Sequence, residues 1–348
     1  MSSVKHRPDF VAVLLLVLAA LMAAGCSGAK KPTGNAAAVP PQPEPDPTTT
    51  TTTPPPPTFP LTGLPAPDAA TAARAALAVK IDNVAEARHQ AGVLAADVVY
   101  EEFTEGVTRF IAVYQSNNAE VVGPVRSIRP ADPVIATPLR GVLAFSGGSP
   151  GAEAVARAAP LTLVTETDLE VMYRRPGRVA PHNLYTSTAG LYSRMPAEAR
   201  TPPPFAQFLR EGQAFTGPEA MPVSSLHLVP ADYVVADWDW DAAAGAWMRS
   251  TDGGRHLTEE GPVAPTTVIV QFTQYVLFVD DQSVIYPEVV GSGDVWVFAA
   301  GSLVRGTWSK ASPDAVTTFT DSTGAPIVLP PGQTWVHLVA PGSSVTTG

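Results

Sequence analysis

The chain of 348 residues contains one cysteine, Cys26, and this residue limits both where the protein can work and how its fold can be stabilised. An unbroken apolar run from Val11 to Met22 precedes it, and the basic residues Lys5 and Arg7 precede that run. A basic start, a short apolar core and small residues before a cleavage point are typical of a secretory signal peptide. The run is too short for a membrane-spanning helix, which needs about 20 apolar residues. The small residues at 23–25, followed by Cys26, give the pattern of a bacterial lipoprotein signal.

In that interpretation residues 1–25 are a lipoprotein signal peptide and Cys26 becomes the lipidated N-terminus. The cysteine thiolate takes a diacylglycerol. Two or more acyl chains, such as palmitate, make the attachment stable, because one chain alone binds a membrane only marginally. The predicted partner is therefore the membrane, and the predicted location is the outer, extracytoplasmic face of the bacterial cytoplasmic membrane. Ala23 is weaker than Leu or Val at its position, so a plain signal peptide and a retained transmembrane anchor remain as alternatives.

The lone cysteine also excludes several kinds of chemistry. Once it is acylated, the folded part has no disulfide, no cysteine nucleophile and no thiolate metal site. An exported domain without disulfides depends on its core, for which a hydrophobic content of 45% is ample. The histidines show no ligand spacing such as HExxH, so we expect no metal site and no cofactor. The net charge of −10 makes nucleic acid and anionic surfaces poor partners.

Composition changes sharply along the chain and predicts an α+β protein in four regions. The signal peptide at 1–25 is followed by residues 26–58, which are rich in Pro and Thr and predict a disordered or polyproline-II tether. Such a tether reaches about 30 Å as a coil and about 100 Å when extended. Its Thr run is either a bare spacer or a site of O-glycosylation. Residues 59–210 are predicted to form a mixed α/β domain and residues 211–348 a smaller β-rich domain.

Alternating and continuous apolar runs predict the main strands of the body. Leu77–Ile81 is predicted to be a buried strand, and Ala95–Glu102 and Arg109–Gln115 to be two strands of a hairpin whose loop contains Gly106. The remaining predicted elements are a strand at Val142–Phe145, helices at Ala152–Ala159 and Phe205–Glu211, and strands at Ser225–Val229, Thr267–Phe272, Tyr275–Val279, Val295–Ala299 and Leu303–Lys310.

An acidic cluster falls on the predicted hairpin. Asp97, Glu101, Glu102 and Glu105 lie close together in sequence, and Arg109 begins the returning strand. Carboxylates beside an arginine at a strand end can bind a sugar or a cation. A pair of them can also act as acid and base in glycan cleavage if they lie about 5–9.5 Å apart. The alternative is surface charge with one structural Glu–Arg pair.

Two further segments carry candidate binding residues. Arg126 and Arg129 suit a carboxylate or phosphate group because a guanidinium presents a planar fork of donors. They can equally pair with the acidic cluster. In the segment P-H-N-L-Y, His182 and Asn183 are candidate ligand-binding or catalytic residues, although a lone histidine is more often structural.

The segment Gly147-Gly148-Ser149-Pro150-Gly151 matches the G-x-S-x-G nucleophile elbow and lies between a predicted strand and helix. Pro150 argues against that function, because the residue after the nucleophile donates its backbone N–H to the oxyanion hole and proline has none. Gly147, Gly148 and Ser149 are instead a candidate anion-binding turn at a helix N-terminus. A tight glycine turn without a ligand is the purely structural alternative.

Several motifs in order resemble those of the YerB-like lipoproteins, whose domains are known as the domain of unknown function 3048. They occupy residues 79–83, 87–92, 96–101, 108–110, 123–130, 147–150, 181–185, 306–310 and 331–335. One departure is Glu105-Gly106-Val107, where relatives tend to have two glycines. The resemblance implies a two-part lipoprotein architecture and no settled activity.

Two functions are compatible with these residues. The first is a tethered envelope lipoprotein that binds cell-wall polymer, peptide or another envelope protein. The second is an enzyme acting on peptidoglycan or another glycan, with Glu101 or Glu105 as acid or base and Arg109, Arg126 and His182 orienting the substrate. An enzyme of this kind requires the carboxylate, the arginines and His182 to converge in one cleft, whereas a binding protein does not.

Overall fold

The computed structural model of the chain describes residues 56–229, 235–279 and 281–348, with the side chains of 281–283 left aside. The predicted signal peptide, Cys26 and nearly all of the predicted tether lie outside these residues. Within the described part of the chain, no helix has the length and apolar character needed to cross a membrane.

The described residues form twenty strands and four α-helices. The helices are α1 (Ala69–Ala72), α2 (Ala131–Ala136), α3 (Pro150–Ala158) and α4 (Thr188–Tyr192), with 3₁₀ turns at Ala85–Ala87, Val93–Ala95 and Thr137–Leu139. The first strands are β1 (Leu77–Asp82), β2 (Val98–Thr104), β3 (Val107–Tyr114), β4 (Val142–Phe145), β5 (Thr162–Thr165), β6 (Tyr173–Arg174) and β7 (Leu184–Tyr185). They are followed by β8 (Met221–Pro222), β9 (Ser225–Val229), β10 (Ala236–Asp241), β11 (Ala246–Thr251), β12 (Gly254–Arg255), β13 (Thr267–Phe272) and β14 (Tyr275–Phe278). The last are β15 (Asp281–Pro287), β16 (Gly291–Ala299), β17 (Ser302–Lys310), β18 (Thr318–Asp321), β19 (Thr334–Val339) and β20 (Ser344–Thr347).

One large mixed sheet organises the body. Its order is β18-β17-β16-β13-β19-β2-β3-β1-β4-β5, with β8 added beside β17. Strand β19 runs parallel to both β13 and β2, so it joins strands that are far apart in sequence. The described residues accordingly form one compact unit. Strands from both sides of the predicted boundary at residue 210 share this sheet.

Most of the central strands point the same way, and this places their carboxyl ends on one edge of the sheet. Strands β1, β4 and β5 are mutually parallel, and β1 and β2 are both antiparallel to β3. The carboxyl ends of β1, β2, β4, β13 and β19 therefore lie along a common edge, which we call the carboxyl edge. In open α/β sheets ligands bind at this edge.

Both faces of the large sheet are covered, which explains why the central strands are buried throughout rather than on alternate residues. One face, which includes Val79 and Phe110, packs against a second sheet of order β12-β11-β10-β9-β20. The opposite face, which includes Ala78 and Ile111, packs against α2, α3 and the segment around Phe205. The α+β class predicted from the sequence is confirmed.

The predicted strands and the predicted hairpin are found in the structure, but the short helix at Phe205–Glu211 is wrong. Phe205 N donates to the carbonyl of Pro60 at 2.9 Å, and Leu209 N donates to the carbonyl of Leu329 at 2.8 Å. The backbone of this segment is thus satisfied by distant chain segments. The three prolines at 202–204 also prevent a helix from extending toward the N-terminus.

Candidate functional site

Glu101 lies in the interior, on the face of the large sheet that the second sheet covers. Arg249 of β11 donates from Nη1 and Nη2 to its two carboxylate oxygens at 2.6 and 2.9 Å. Trp335 donates from Nε1 at 2.9 Å and Thr108 from Oγ1 at 2.8 Å. Burial has the largest single effect and raises the pKa of Glu101, but the charge and hydrogen bonds of Arg249, together with the contacts of His337 and Thr108, outweigh it and hold the pKa well below its usual range. This carboxylate stays ionised and is 2% exposed, so it has no access to a polymer.

Arg249 is itself enclosed by aromatic rings. Its guanidinium carbon lies 4.6 Å from the ring centre of Trp335, 5.4 Å from that of Trp238 and 5.5 Å from that of Phe110. Cation–π contacts of this kind are strongest when they are desolvated. The Glu101–Arg249 pair therefore fastens the second sheet to the large sheet.

Two buried histidines complete this internal network. Trp238 donates from Nε1 to Nε2 of His337 at 3.0 Å, while Nδ1 of His337 lies 3.3 Å from Glu101. Burial lowers the pKa of His337 to about 4. Burial and the charge of Arg249 lower the pKa of His256 to about 2. Both imidazoles are therefore neutral at physiological pH and serve as hydrogen-bonding groups of the core.

Asp97 is at the amino end of β2, across the sheet from the carboxyl edge. Its carboxylate accepts hydrogen bonds from the backbone N–H of Ser116 at 2.8 Å, from the backbone N–H of Gln115 and from the hydroxyl of Ser116. Burial raises the pKa of Asp97 to about 6, although these hydrogen bonds act to lower it. The structure thus separates Asp97 from the other candidate residues and gives it a role in closing the turn after β3.

A second buried charge cluster lies on the other face of the large sheet. Lys80 of β1 pairs with Glu102 of β2 and lies 2.8 Å from Oδ1 of Asp132 in α2. All three side chains are fully buried. The other oxygen of Asp132 accepts from the backbone N–H of Arg129 at 2.7 Å, which ties this cluster to the arginine segment.

Three arginines meet at the carboxyl edge. Arg109 donates from Nη1 to the carbonyl of Ser127 at 3.2 Å, which holds it beside the segment that carries Arg126 and Arg129. Burial and the charges of Arg129 and Arg126 lower the pKa of Arg109 to about 10. Its Nε is buried without a hydrogen-bond partner. Positive charges are therefore crowded here beyond what the nearby carboxylates neutralise.

Glu105 is one of those carboxylates. It lies in the β2–β3 turn and forms a fork with Arg129, whose Nε donates to Oε1 at 2.8 Å and whose Nη2 donates to Oε2. Burial raises the pKa of Glu105, but the hydrogen bonds and charge of Arg129 bring it below its usual value. Arg129 Nε also donates to Thr104 at 2.9 Å. Glu105 thus lies at the edge as the ionised partner of an arginine.

Asp82, the last residue of β1, is the other carboxylate and is fully buried. Its Oδ2 lies 3.0 Å from Nε of Arg126 and 2.7 Å from Nδ1 of His182. The side chains of Arg126 and His182 are about one-fifth exposed. Asp82 therefore holds a cation and an imidazole at the surface of the carboxyl edge.

The remaining predicted residues border this group. Asn183 accepts from Nη1 of Arg174 at 2.8 Å, which orients the loop that carries His182. The glycine turn contacts the arginine segment, because Ile128 N donates to the carbonyl of Gly147 at 2.9 Å. Ser149 caps α3 by accepting from the backbone N–H of Ala152 at 3.3 Å, as expected for a helix N-cap. Among the described residues, no three His, Cys, Asp or Glu side chains are grouped to hold a metal ion.

Comparison with known proteins explains why the motifs recur in this order. Two family models match the chain: the N-terminal domain of the protein of unknown function DUF3048 at residues 61–201 and its C-terminal domain at residues 226–336. The chain belongs to the DUF3048 family. It is 29% identical over 294 residues to the protein named "Putative lipoprotein YerB" of Bacillus subtilis (strain 168), which covers 80% of this chain and 85% of that protein. The crystal structure of YerB shares the fold with a TM-score of 0.71 at 22% identity, covering 83% of this chain and 99% of that one.

The two DUF3048 regions lie side by side in one continuous sheet, where β19 of the C-terminal region pairs with β2 of the N-terminal region. The N-terminal region supplies β1 to β5, and the C-terminal region supplies β13, β16, β17 and β19 of the same sheet. The arginines of the carboxyl edge come entirely from the N-terminal region, whereas Arg249 reaches Glu101 from the C-terminal one.

Sequence reasoning did not assign site roles to Asp82, Lys80, Asp132 or Arg249. A signal existed for the first two, because Lys80 and Asp82 interrupt an otherwise apolar strand. Charged residues in a buried strand are rarely tolerated without a partner. No comparable signal marks Arg249, whose partner lies 148 residues away.

Proposed function

We propose that this DUF3048 protein is an extracytoplasmic lipoprotein that binds an anionic group of a cell-wall or envelope ligand at the carboxyl edge. Arg109, Arg126 and Arg129 hold the ligand and His182 adds a donor beside them. The lipid on Cys26 attaches the chain to the membrane, and residues 26–58 carry the body away from its surface. The observation that carries the proposal is the crowding of three guanidinium groups around two carboxylates.

The electrostatics of Arg109 support an anionic ligand. Burial is the largest cause of the lowered pKa of Arg109, and repulsion from the nearby charges of Arg129 and Arg126 lowers it further. A folded protein retains such a cluster at a cost in stability. A carboxylate or phosphate would offset that cost by accepting the guanidinium donors that Asp82 and Glu105 do not use.

The overall charge of −10 narrows the kind of ligand. An acidic protein repels an extended polyanion, whereas one discrete carboxylate or phosphate senses mainly the local cluster, because charges beyond about 8–10 Å are screened at physiological salt. The stem-peptide carboxylates of peptidoglycan are ligands of this type.

The binding test uses the full-length chain in detergent and purified peptidoglycan fragments. We expect Arg126→Gln and Arg129→Gln each to weaken binding at least about tenfold, because a hydrogen bond to a charged group contributes about 1.5–3 kcal/mol. Binding should also weaken as salt is raised from about 50 to 500 mM. The measurement is the dissociation constant from calorimetric titration.

Arg140→Gln is the matched control. Arg140 is also paired with a carboxylate, that of Asp314, but it precedes β4 at the opposite edge of the sheet. Unchanged binding in Arg126→Gln and Arg129→Gln, with both variants folded, would contradict the proposal. Release of soluble products, lost in Glu105→Gln, would instead favour the glycan-acting enzyme. Glu101 is enclosed, which leaves Glu105 as the exposed carboxylate of that pair.

The anchor is tested separately. Cys26→Ser removes the thiol that would accept the lipid, so we expect the protein to lose incorporation of labelled palmitate and to move from the membrane fraction to the soluble extracytoplasmic fraction. A serine variant that remains in the membrane fraction would favour the retained transmembrane anchor.

A further inference from the structure

A second concave surface lies on the carboxyl edge, away from the arginines. It is a groove of about 610 Å³ between the end of β13, the start of β16 and the turn after β19. Its volume falls within the usual range for small-molecule sites. Its lining includes Phe272, Gln274, Glu288, Asp294 and Trp296.

The groove combines an aromatic wall with hydrogen-bonding walls. Trp296 is partly buried, and its ring meets that of Phe272 edge-on with centroids 5.5 Å apart. The guanidinium carbon of Arg305 lies 4.3 Å from the ring centre of Trp296, so Arg305 supports this ring without itself lining the groove. The polar walls carry exposed Gln274, Glu288 and Asp294. The described residues that line the groove include no Lys, Arg or His.

The walls are held in place by the fold. Nε1 of Trp308 donates to the carbonyl of Phe272 at 2.7 Å, which links the floor of the groove to β13. A side chain at Gly293 could not be added, because its Cβ would lie 2.6 Å from that carbonyl and 2.8 Å from Nε1 of Trp308. Glu288 N donates to the carbonyl of Gln274 at 2.8 Å and fixes the two polar walls relative to each other. The groove is therefore formed before any ligand binds.

We propose that this groove binds a neutral sugar unit of a glycan strand. Carboxylates and an amide supply acceptors for sugar hydroxyls, and the amide also supplies donors. The aromatic wall offers an apolar surface for the C–H face of the ring. An anionic ligand is disfavoured because Glu288 and Asp294 would repel it. The groove thus favours a neutral ligand, whereas the arginine cluster favours an anionic one.

The groove lies on the same edge of the sheet as the arginines. Its assignment to wall glycan in particular rests on the proposed function. The groove lies at β13 and the arginines begin at β3, with β19 and β2 between them. At about 4.8 Å per strand these sites are about 14 Å apart along one edge. A glycan that carries carboxylate-bearing substituents would therefore place its uncharged rings and its anionic groups on the two sites together.

The test titrates the full-length chain in detergent with the uncharged tetramer of β-1,4-linked N-acetylglucosamine. We expect saturable binding whose strength does not change with salt concentration. Quenching of tryptophan fluorescence and calorimetry measure this binding. Trp296→Leu and Asp294→Ala should each weaken it at least about fivefold, because the first removes the flat aromatic surface of the wall and the second removes an acceptor. Asp294 is exposed, so its variant tests the site without disturbing the core.

Two controls separate this inference from the arginine proposal. Asp314→Ala removes an exposed carboxylate elsewhere and should leave tetramer binding unchanged. Arg126→Gln should leave tetramer binding unchanged while it weakens binding of anionic wall fragments. No calorimetric binding of the tetramer at millimolar concentration, or binding unaffected by both groove variants, would overturn the sugar site and leave the anion site untouched.

Discussion

Replacing Arg249 by Met is expected to lower the free energy of unfolding by about 3–5 kcal/mol. Removing one member of a buried ion pair leaves the other as an uncompensated buried charge, which is far more costly than the net value of the pair. Here the uncompensated charge is that of Glu101, which is 2% exposed. The substitution also removes the cation–π contact between Arg249 and Trp335. Urea denaturation followed by tryptophan fluorescence measures the loss.

The double variant Arg249→Met/Glu101→Gln distinguishes this cause from simple loss of packing. A neutral glutamine removes the stranded charge, so the double variant should be more stable than Arg249→Met alone. Arg157→Met is the surface control, because its ion pair with Glu153 on α3 is exposed and such pairs contribute about 0–1 kcal/mol. Equal losses in the single and double variants would contradict an electrostatic origin.

Replacing Lys80 by Met is expected to destabilise the protein by a similar amount, about 3–5 kcal/mol, at pH 8. The change leaves Glu102 and Asp132 buried together without their cation. The loss should be smaller at pH 5, because a proton can then neutralise one of the two carboxyls.

The sign of this pH dependence follows from Glu102. Burial and the neighbouring Asp132 raise its pKa from 4.5 to about 7, so the folded chain retains a proton that the unfolded chain releases. Stability from this group is present below about pH 4.5 and is lost as the pH rises through about 7. Without the charge of Lys80 the pKa of Glu102 rises further, so the deficit of the variant grows toward alkaline pH.

Denaturation of Lys80→Met and the unchanged chain at pH 5 and pH 8 measures this difference. Lys80→Met/Glu102→Gln should show a deficit that varies less with pH, since the group that takes up the proton is gone. A deficit that is the same at both pH values in Lys80→Met would show that Glu102 does not carry the effect.

Periodicity was sufficient to predict most strands of the large sheet. Runs such as Leu77–Ile81, which is apolar except for Lys80, and Val142–Phe145 are buried on both faces and therefore appear as short, largely apolar segments. The failure at Phe205–Glu211 has the opposite cause. Local composition favoured a helix there, but the partners of its backbone are Pro60 and Leu329, which no local pattern can indicate.

The candidate site was predictable in its residue types but not in its pairings. The sequence indicated Arg109, Arg126, Arg129 and His182, and the structure brings these side chains to one edge. Glu101 and Glu105 looked equivalent in sequence, yet Glu101 is buried and Glu105 is exposed. Their environments differ because Glu101 faces the second sheet, whereas Glu105 lies in the turn.

The insertion of β19 between β13 and β2 has a consequence for how the protein is made. Residues 334–339 are synthesised after both β2 and β13, so until then β2 and β13 each present an open hydrogen-bonding edge. Exposed edges of apolar strands are templates for aggregation, and long-range pairing of this kind is slow. A chain that ends before Thr334 would therefore lack the strand that closes the centre of the sheet, although all the other strands of that sheet would be present.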